Sequence, residues 1–297
     1  NNVSVTVSSF NELKLYSLIC GYNKLHIHLK INSGLNRIGF DNINHFKKSL
    51  NFIKHSSNII LEGVFTHFAT KGEDVEFIVN QHNRFMEFVK YVKSSNVIVH
   101  CCNSFSTIMF SKYHHSMVRC GYNLYGWQQD NKICFNPVLK ITSSVVFVHN
   151  IKKGESVGYD RTFVASKNTK IAIVAMGYAD GFDRRLSNKF SVLVNGEWAK
   201  VVGNICMDVF MIDVTNIKNV EVGSVVTIIG RNGGKQITPN DYAIVLDTSP
   251  YEVLLKFKTD RMNKIITNII ETIKLNLYSN LLVRFLPDEF FYHFHLP

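Results

Sequence analysis

The sequence predicts an α/β region with a parallel sheet, followed by a separate and mainly antiparallel β domain. Two observations lead to this fold class. Over the first 126 residues, short apolar strands alternate with helix-like segments, which is typical of βαβ units. From about residue 137 the segments become short and β-branched, and Asn195–Gly196 lies between two Val-rich runs, a strong hairpin signal.

The first region is predicted to hold five strands and three helices. Apolar or alternating runs predict strands at Val3–Val7, Leu25–Ile31, Ile59–Ala69 and Val97–Asn103, and a fifth within Met117–Tyr125. Apolar residues at helical spacing predict helices at Phe10–Cys20, Asn42–Lys54 and Val75–Lys93. Strands that alternate with helices in this way favour a parallel sheet.

The second region is predicted to be rich in strands. These are Val138–Asn150, Lys170–Met176, Ser191–Val202, Phe210–Val214 and Ser224–Gly230. A helix over Asp241–Lys256 follows, with Pro239 as part of its start signal. The apolar run Ile265–Phe285 predicts a helical or poorly ordered tail. We therefore expect domains at residues 1–132 and 133–262, and a tail at 263–297.

The composition limits the classes of function. The chain has 297 residues, of which 46% are hydrophobic and 19% charged, so it is globular and neither disordered nor a coiled coil. The net charge of +10 permits anionic partners. Its positive residues are scattered, however, which disfavours nucleic-acid binding. No apolar run reaches the 18 or more residues of a membrane helix.

The cysteines and the first residues suggest where the protein works. None of the six cysteines forms a CxxC motif, so no zinc, other metal or redox site is predicted. Scattered cysteines in a chain of this length are typical of the reducing cytoplasm. No signal peptide opens the chain. The first residue is Asn and not Met, so we expect that the natural start is missing.

Four polar residues stand where successive strands of the first region end. They are Lys30, His67, Ser104 and Arg119. In a barrel of alternating strands and helices, such residues face the active site. A lone histidine here would be an ordinary buried residue, but four polar ends in succession indicate the lining of a site. Gly121, just after Arg119, could hold a phosphate together with the Ser104 hydroxyl, or it could be a plain turn glycine.

Several segments together resemble the alanine racemases, which depend on pyridoxal 5'-phosphate (PLP). In the first region they are His28–Phe40, Gly63–Ala69, His100–Ser104 and Met117–Gly126. In the second they are Ser156–Tyr159, Gly177–Gly181, Val202–Asp208 and Tyr251–Val253. They follow the family's order at compatible spacing over about residues 3–265. The resemblance implies part of a (β/α)8 TIM-type barrel followed by a mainly antiparallel β domain.

The resemblance also implies an activity and its partners. It implies a cytoplasmic homodimer that interconverts L-alanine and D-alanine and so supplies D-alanine for peptidoglycan. Tyr159 matches the base that takes the α-proton of L-alanine across the dimer interface. Arg119 matches the arginine that faces the PLP pyridine nitrogen, and His67 the histidine that bonds this arginine.

Further residues match family positions that bind cofactor or substrate. Ser104, Gly121, Tyr122 and Tyr251 match the phosphate ligands. Arg37 and the backbone N–H of Met207 match the contacts to the substrate carboxylate, and Tyr178 matches a tyrosine at the mouth of the substrate channel. Lys30 matches a lysine that is often carbamylated and then braces Arg37, and Asp208 a carboxylate behind the site. The chain departs from the family pattern at Asn32, Cys120 and Tyr122.

One family motif has no counterpart in the sequence. Nothing resembles the Lys-Ala-Asn-Ala-Tyr-Gly-His-Gly segment, whose lysine anchors PLP. A complete barrel needs at least roughly 200 residues, whereas about 126 precede the β domain. We therefore expect a truncated chain that is inactive alone and that a separate N-terminal half could complement. The alternatives are a catalytically dead remnant or interaction subunit, and a racemase of another small amino acid.

Overall fold

The computed structural model describes residues 3–70, 74–127 and 136–257, and the backbone of residues 263–266 and 282–283. The chain forms two compact units, the first of Asn1–Asn123 together with Asn276–Pro297 and the second of Leu124–Leu275. The predicted boundary at residues 132 and 133 lies outside the described residues. No helix in the described ranges is long and apolar enough to span a membrane.

The first unit is built on a six-stranded parallel sheet. Its strands follow the order β1-β2-β3-β4-β5-β16, and neighbouring strands are parallel. The strands are β1 (Val5–Val7), β2 (Leu25–Lys30), β3 (Ile59–Phe65), β4 (Ile98–His100), β5 (Met117–Val118) and β16 (Leu282–Val283). The helices are α1 (Phe10–Cys20), α2 (Ile43–His55), α3 (Val75–Val89) and α4 (Ser104–Met109).

Local caps and an apolar core explain these elements. The side chains of Ser9, Asn42 and Asp74 accept backbone hydrogen bonds at the starts of α1, α2 and α3. Between sheet and helices lies a core that includes fully buried Phe46 and Phe85. The parallel α/β arrangement predicted for this region is confirmed.

The second unit holds an eight-stranded sheet. Its order is β14-β13-β10-β11-β12-β9-β6-β15, and neighbouring strands are antiparallel. The strands are β6 (Leu139–Ile151), β9 (Thr169–Val174), β10 (Ser191–Val194), β11 (Glu197–Val201), β12 (Phe210–Asp213), β13 (Val225–Asn232), β14 (Lys235–Ile237) and β15 (Asn263–Ile266). Strands β7 (Ser156–Val157) and β8 (Phe163–Val164) form a separate pair, and the helices are α5 (Pro239–Leu246) and α6 (Pro250–Lys256).

The predicted hairpin joins β10 to β11. Asn195 and Gly196 have φ angles of 50° and 79°, the positive values that this tight turn requires. Across the turn, Val194 pairs with Glu197 in the antiparallel register. The side chain of Asn195 also donates to two backbone carbonyls, so the turn is tied to a neighbouring loop.

Three elements differ from the sequence-based expectation. The helix expected over Asp241–Lys256 is two helices, because Asp247 adopts a left-handed conformation with φ 50° and Pro250 starts α6. The short helix α4 was not predicted. In the tail, residues 263–266 and 282–283 are strands, and the rest of the helix expected over Ile265–Phe285 lies outside the described residues.

Candidate active site

Arg119 is the centre of a buried polar cluster in the first unit. It directly follows β5, and only 7% of its surface is exposed. One terminal nitrogen, Nη1, lies 2.6 Å from Nδ1 of His100. The other, Nη2, donates to the Thr66 carbonyl at 2.9 Å and lies 3.3 Å from Nδ1 of His67. Arg119, His67 and His100 thus meet at the carboxyl ends of neighbouring parallel strands.

His67 is held in its neutral form. Burial, helped by the nearby charges of Arg119, Arg37 and Lys30, lowers the pKa of His67 to about 3. A guanidinium only donates hydrogen bonds, so Nδ1 of His67 accepts and its proton lies on Nε2. The predicted pairing of His67 with Arg119 is therefore present, with the imidazole as acceptor.

A second set of contacts leads from Arg119 to a carboxylate. Because Arg119 donates to Nδ1 of His100, the proton of this neutral imidazole lies on Nε2. This His100 Nε2–H donates to Nδ1 of His28, 2.9 Å away. His28 therefore carries its own proton on Nε2, which lies 3.4 Å from Oε2 of Glu62. Burial, with the Arg119 charge, holds the pKa of His100 well below its usual range. The sequence reasoning missed His100, His28 and Glu62 as site residues.

The ring of Phe65 lies beside this cluster. It stacks on His100 with the ring centroids 4.8 Å apart and the planes 3° from parallel. The Nζ atom of Lys30 lies 5.6 Å from the ring centroid and the guanidinium carbon of Arg119 lies 5.3 Å from it. Lys30 is itself only 3% exposed, so two buried cations share one aromatic neighbour.

Ser104 and Gly121 meet next to Arg119. The Gly121 backbone N–H donates to the Ser104 hydroxyl at 2.8 Å. Ser104 begins α4, which Asn103 caps, and the side chain of Asn123 donates to the Ser104 carbonyl at 2.7 Å. Tyr122 follows as the first residue of a 3-10 turn and is buried. The structure thus brings three predicted phosphate ligands, Ser104, Gly121 and Tyr122, together on two adjacent short segments.

The second unit carries a surface cavity of about 550 Å³. Four predicted site residues line it, namely Tyr159, Tyr178, Met207 and Asp208. Tyr159 is 71% exposed, so its phenol is open to solvent. Arg184 also lines this cavity. It was not predicted as a site residue, because its neighbours in the sequence give no sign that it is more than a surface cation.

Close backbone contacts shape this cavity. The N–H groups of Tyr178 and Ala179 donate to the carbonyls of Cys206 and Met207, both at 3.0 Å. A Cβ atom on Gly177 would lie 2.1 Å from the Met207 carbonyl oxygen, so only glycine fits there. The segment with Tyr178 is therefore fixed directly against the segment with Met207.

Two further predicted site residues come from other segments of the chain. Arg37 is exposed, in the segment between β2 and α2. Tyr251, expected to join the phosphate ligands, is the second residue of α6 in the second unit, whereas Ser104 and Gly121 belong to the first. The site residues therefore divide between the units, with the Arg119 cluster in one and the Tyr159 cavity in the other.

Comparison with known proteins gives matches along most of the chain. The protein-family model described as alanine racemase, N-terminal domain, matches residues 1–129. The family model for the alanine racemase C-terminal domain matches residues 138–266. An alanine racemase from Ligilactobacillus salivarius is 36% identical over 249 residues, which are 82% of this chain and 66% of that protein. These matches do not support the expectation of a truncated chain, because both domains are found.

Solved structures agree with these matches. The alanine racemase from E. faecalis has a TM-score of 0.81 and 32% identity, over 86% of this chain and 71% of that one. A histidine racemase from Leuconostoc mesenteroides has a TM-score of 0.78 and 26% identity, over the same shares of the two chains. The expected combination of a TIM-type barrel fold and an antiparallel β domain is confirmed. With both domains matched in order and a relative 36% identical, the chain belongs to the alanine racemase family, whose members depend on PLP.

Proposed function

We propose that this chain takes part in the PLP-dependent interconversion of L-alanine and D-alanine. The observation that carries the proposal is the buried guanidinium of Arg119, held between His67 and His100 beside the Ser104–Gly121 pair. The chain spans 66% of the length of the L. salivarius relative, so its own activity, substrate and partners are proposals.

The Arg119 cluster fits a phosphorylated pyridine. The Ser104 hydroxyl accepts from the Gly121 N–H and keeps its own proton to donate to an anionic phosphate, and the Arg119 guanidinium suits an unprotonated ring nitrogen. We assign the phosphate to Ser104, Gly121, Tyr122 and Tyr251, and the ring nitrogen to Arg119. When bound, PLP supplies an electron sink for the α-carbon of the substrate.

Arg119 controls the strength of that sink. A guanidinium stays protonated in proteins, so it donates a hydrogen bond to the ring nitrogen without giving up its proton. By leaving that nitrogen uncharged, Arg119 would limit the electron sink that bound PLP supplies and would disfavour transamination. Neutral His67 accepts a hydrogen bond from Arg119 and so keeps the guanidinium in place.

The remaining site residues hold the substrate and move its proton. We assign removal of the α-proton of L-alanine to the Tyr159 phenol, and the substrate carboxylate to Arg37 and the Met207 N–H. A carbamate on Lys30 would brace Arg37. Removal of the proton from D-alanine needs a base on the opposite face of the α-carbon, which this assignment does not include.

Other residues and a partner complete the proposal. Tyr178 lines the substrate path and Asp208 supports the Met207 segment from behind. We propose that the chain forms a homodimer, in which Tyr159 acts on cofactor that the other subunit holds. We further propose a cytoplasmic location, because the five cysteines of the described part are free thiols.

Isotope exchange tests this assignment. The protein is incubated with PLP and L-alanine in deuterated water, and the α-proton of alanine is followed by NMR. We expect Tyr159→Phe to slow the exchange about 10²–10⁴-fold while the absorbance change on PLP addition remains. Tyr22→Phe, at a fully exposed tyrosine, is the matched control. Equal exchange in the wild type and Tyr159→Phe, or no absorbance change with PLP, would refute the proposal.

A second substrate is worth testing because a solved histidine racemase shares this fold at 26% identity. The same exchange measurement with L-serine and L-histidine decides between the substrates. Faster exchange of either than of L-alanine would favour the alternative.

A further inference from the structure

We propose that His82, Cys101 and His115 form a binding site for a zinc ion. The three side chains come from helix α3, from the residue after β4, and from the segment that leads into β5. Their potential ligand atoms all lie within 4.8 Å of one another. None of the three belongs to the residues assigned to PLP or alanine.

The two imidazoles meet through their Nε2 atoms, which lie 2.9 Å apart, with the ring planes 9° from parallel and the ring centroids 5.1 Å apart. Each Nε2 atom therefore points at the other, as in a hydrogen bond, and both rings must rotate to direct these atoms at one ion. The ring of Tyr113 stacks on His82, with the centroids 4.0 Å apart, which restrains the His82 ring. The two imidazoles are therefore already close together before any ion binds, which reduces the entropy lost on binding.

Cys101 supplies the third ligand from inside the protein. Its side chain is fully buried, where it contacts the Cys102 thiol and donates a weak hydrogen bond from Sγ to the Tyr113 carbonyl at 3.2 Å. Neither imidazole is buried, so the ion would lie between solvent and a buried thiolate. A fourth position on the solvent side is then available to water.

The backbone at His115 gives an independent indication. His115 has a φ of 48°, in the left-handed region that residues other than glycine rarely adopt. Such strain persists where the surrounding structure fixes a side chain, and it concentrates at binding sites. Here the strained conformation is the one in which His115 Nε2 reaches His82.

The donor set identifies the class of metal. Two imidazoles and one thiolate suit Zn²⁺, which is bound tetrahedrally at about 2.0–2.1 Å from nitrogen and about 2.3 Å from sulfur. Those bond lengths put the two Nε2 atoms about 3.4 Å apart and each about 3.6 Å from Sγ. Separations within 4.8 Å therefore have to close by up to about 1.2 Å, which rotation of side chains can supply.

Zinc binding would move a proton within one imidazole and release another from the Cys101 thiol. In the metal-free pair, one Nε2–H donates to the other Nε2. On zinc binding, the donor imidazole moves its proton to Nδ1, and the Cys101 thiol releases one proton to solvent because only the thiolate binds. The bound ion would join α3, the end of β4 and the approach to β5, and so would stabilise the strand that precedes Arg119.

Metal binding to the purified full chain tests the proposal. We expect one equivalent of Zn²⁺ by chelator competition, and one equivalent of Co²⁺ that gives a near-ultraviolet thiolate-to-cobalt absorption band. His82→Gln and His115→Gln should each weaken binding by more than about 100-fold, and Cys101→Ala should abolish the band. Zn²⁺ in large excess over its dissociation constant should raise the Tm by roughly 5 °C or more.

Matched controls come from neighbouring residues. His114 binds the Thr107 carbonyl through Nε2, and Cys102 is a buried thiol next to Cys101, so His114→Gln and Cys102→Ala should keep the site. If Cys101→Ala does not fold, the two histidine variants still decide the question. Absence of saturable one-to-one binding would overturn the proposal. So would unchanged binding in both histidine variants, or an equal loss in His114→Gln.

Discussion

Arg119 and Glu62 stand at the two ends of one chain of polar contacts that passes through His100 and His28. The donor at one end is a guanidinium and the acceptor at the other is a carboxylate, so the proton position on each imidazole between them is fixed. The serine hydroxyl of Ser4 also bonds Glu62. The orientation of Arg119 thus depends on residues well outside its own strand.

We predict that His100→Asn lowers alanine turnover by about 10–100-fold, as the loss of a supporting partner typically does. The reason is that Arg119 Nη1 loses the imidazole acceptor that lies 2.6 Å away. A shift in the absorbance of added PLP should accompany the loss. His26→Asn, on the same strand as His28 but outside this chain of contacts, is the control. A variant at His100 with wild-type turnover and spectrum would show that Arg119 needs no such support.

We predict that His67 makes folding stability depend on pH between about 3 and 6.5. Its pKa is about 3 in the folded protein and about 6.5 when unfolded, so the unfolded chain binds more protons in this window. The contribution of neutral His67 to the free energy of unfolding should be fully present above pH 6.5. As the pH drops below this value, that contribution should fall by up to about 1.4 kcal/mol per pH unit. Urea unfolding of the wild type and His67→Gln from pH 4 to 7 measures the difference. Parallel curves for the two proteins would contradict the prediction.

We predict that Gly177→Ala disrupts the cavity that holds Tyr178 and Met207. Its new methyl group would lie 2.1 Å from a backbone oxygen, which cannot move away as a side chain could. The free energy of unfolding should drop by more than about 2 kcal/mol. Gly234→Ala, where a Cβ meets nothing within 4 Å, should change it by less than about 0.5 kcal/mol. Similar losses in both variants, measured by thermal unfolding, would disprove the steric argument.

We predict that Asp183→Asn destabilises the second unit. Asp183 accepts hydrogen bonds from Arg185 at 2.9 Å and from Lys256 at 2.8 Å, and these hold the pKa of its carboxyl far below the usual range. The carboxylate therefore adds stability that is present above pH 4 and is lost on further acidification. Denaturant unfolding at pH 7 should show a loss of about 1–3 kcal/mol. The difference between wild type and variant should shrink toward pH 2, and a constant difference would argue against an ionic origin.

Much of the fold could be predicted because local signals and tertiary packing agree. The helix Phe10–Cys20 has the predicted bounds, and its cap at Ser9 is visible in the sequence. The turn at Asn195–Gly196 likewise needs residues that accept positive φ. By contrast, the break at Asp247 was missed, because the left-handed conformation there depends on packing that no local pattern records.

The candidate site was predictable only where residues have a distinctive local pattern. His67 and Arg119 follow strands and belong to recognisable motifs, so both were found. His28 and His100 begin two of the segments that carry the resemblance, but both lie on strands, where a histidine is typical of a buried structural residue, so no site role was predicted for them. Their role arises from contacts between residues 72 positions apart, which spacing along the chain does not show. His82, Cys101 and His115 were missed for the same reason, since their spacing matches no metal motif.

The stacked pair of Phe65 and His100 gives the protein a built-in spectroscopic reporter. With the planes 3° from parallel and the centroids 4.8 Å apart, the ring current of Phe65 shields the carbon-bound protons of His100. These resonances should lie upfield of those of the other histidines in a proton spectrum. Because His100 also touches Arg119, a ligand that draws the guanidinium away would move them. Occupancy of the site could then be followed in unlabelled protein without any measurement of turnover.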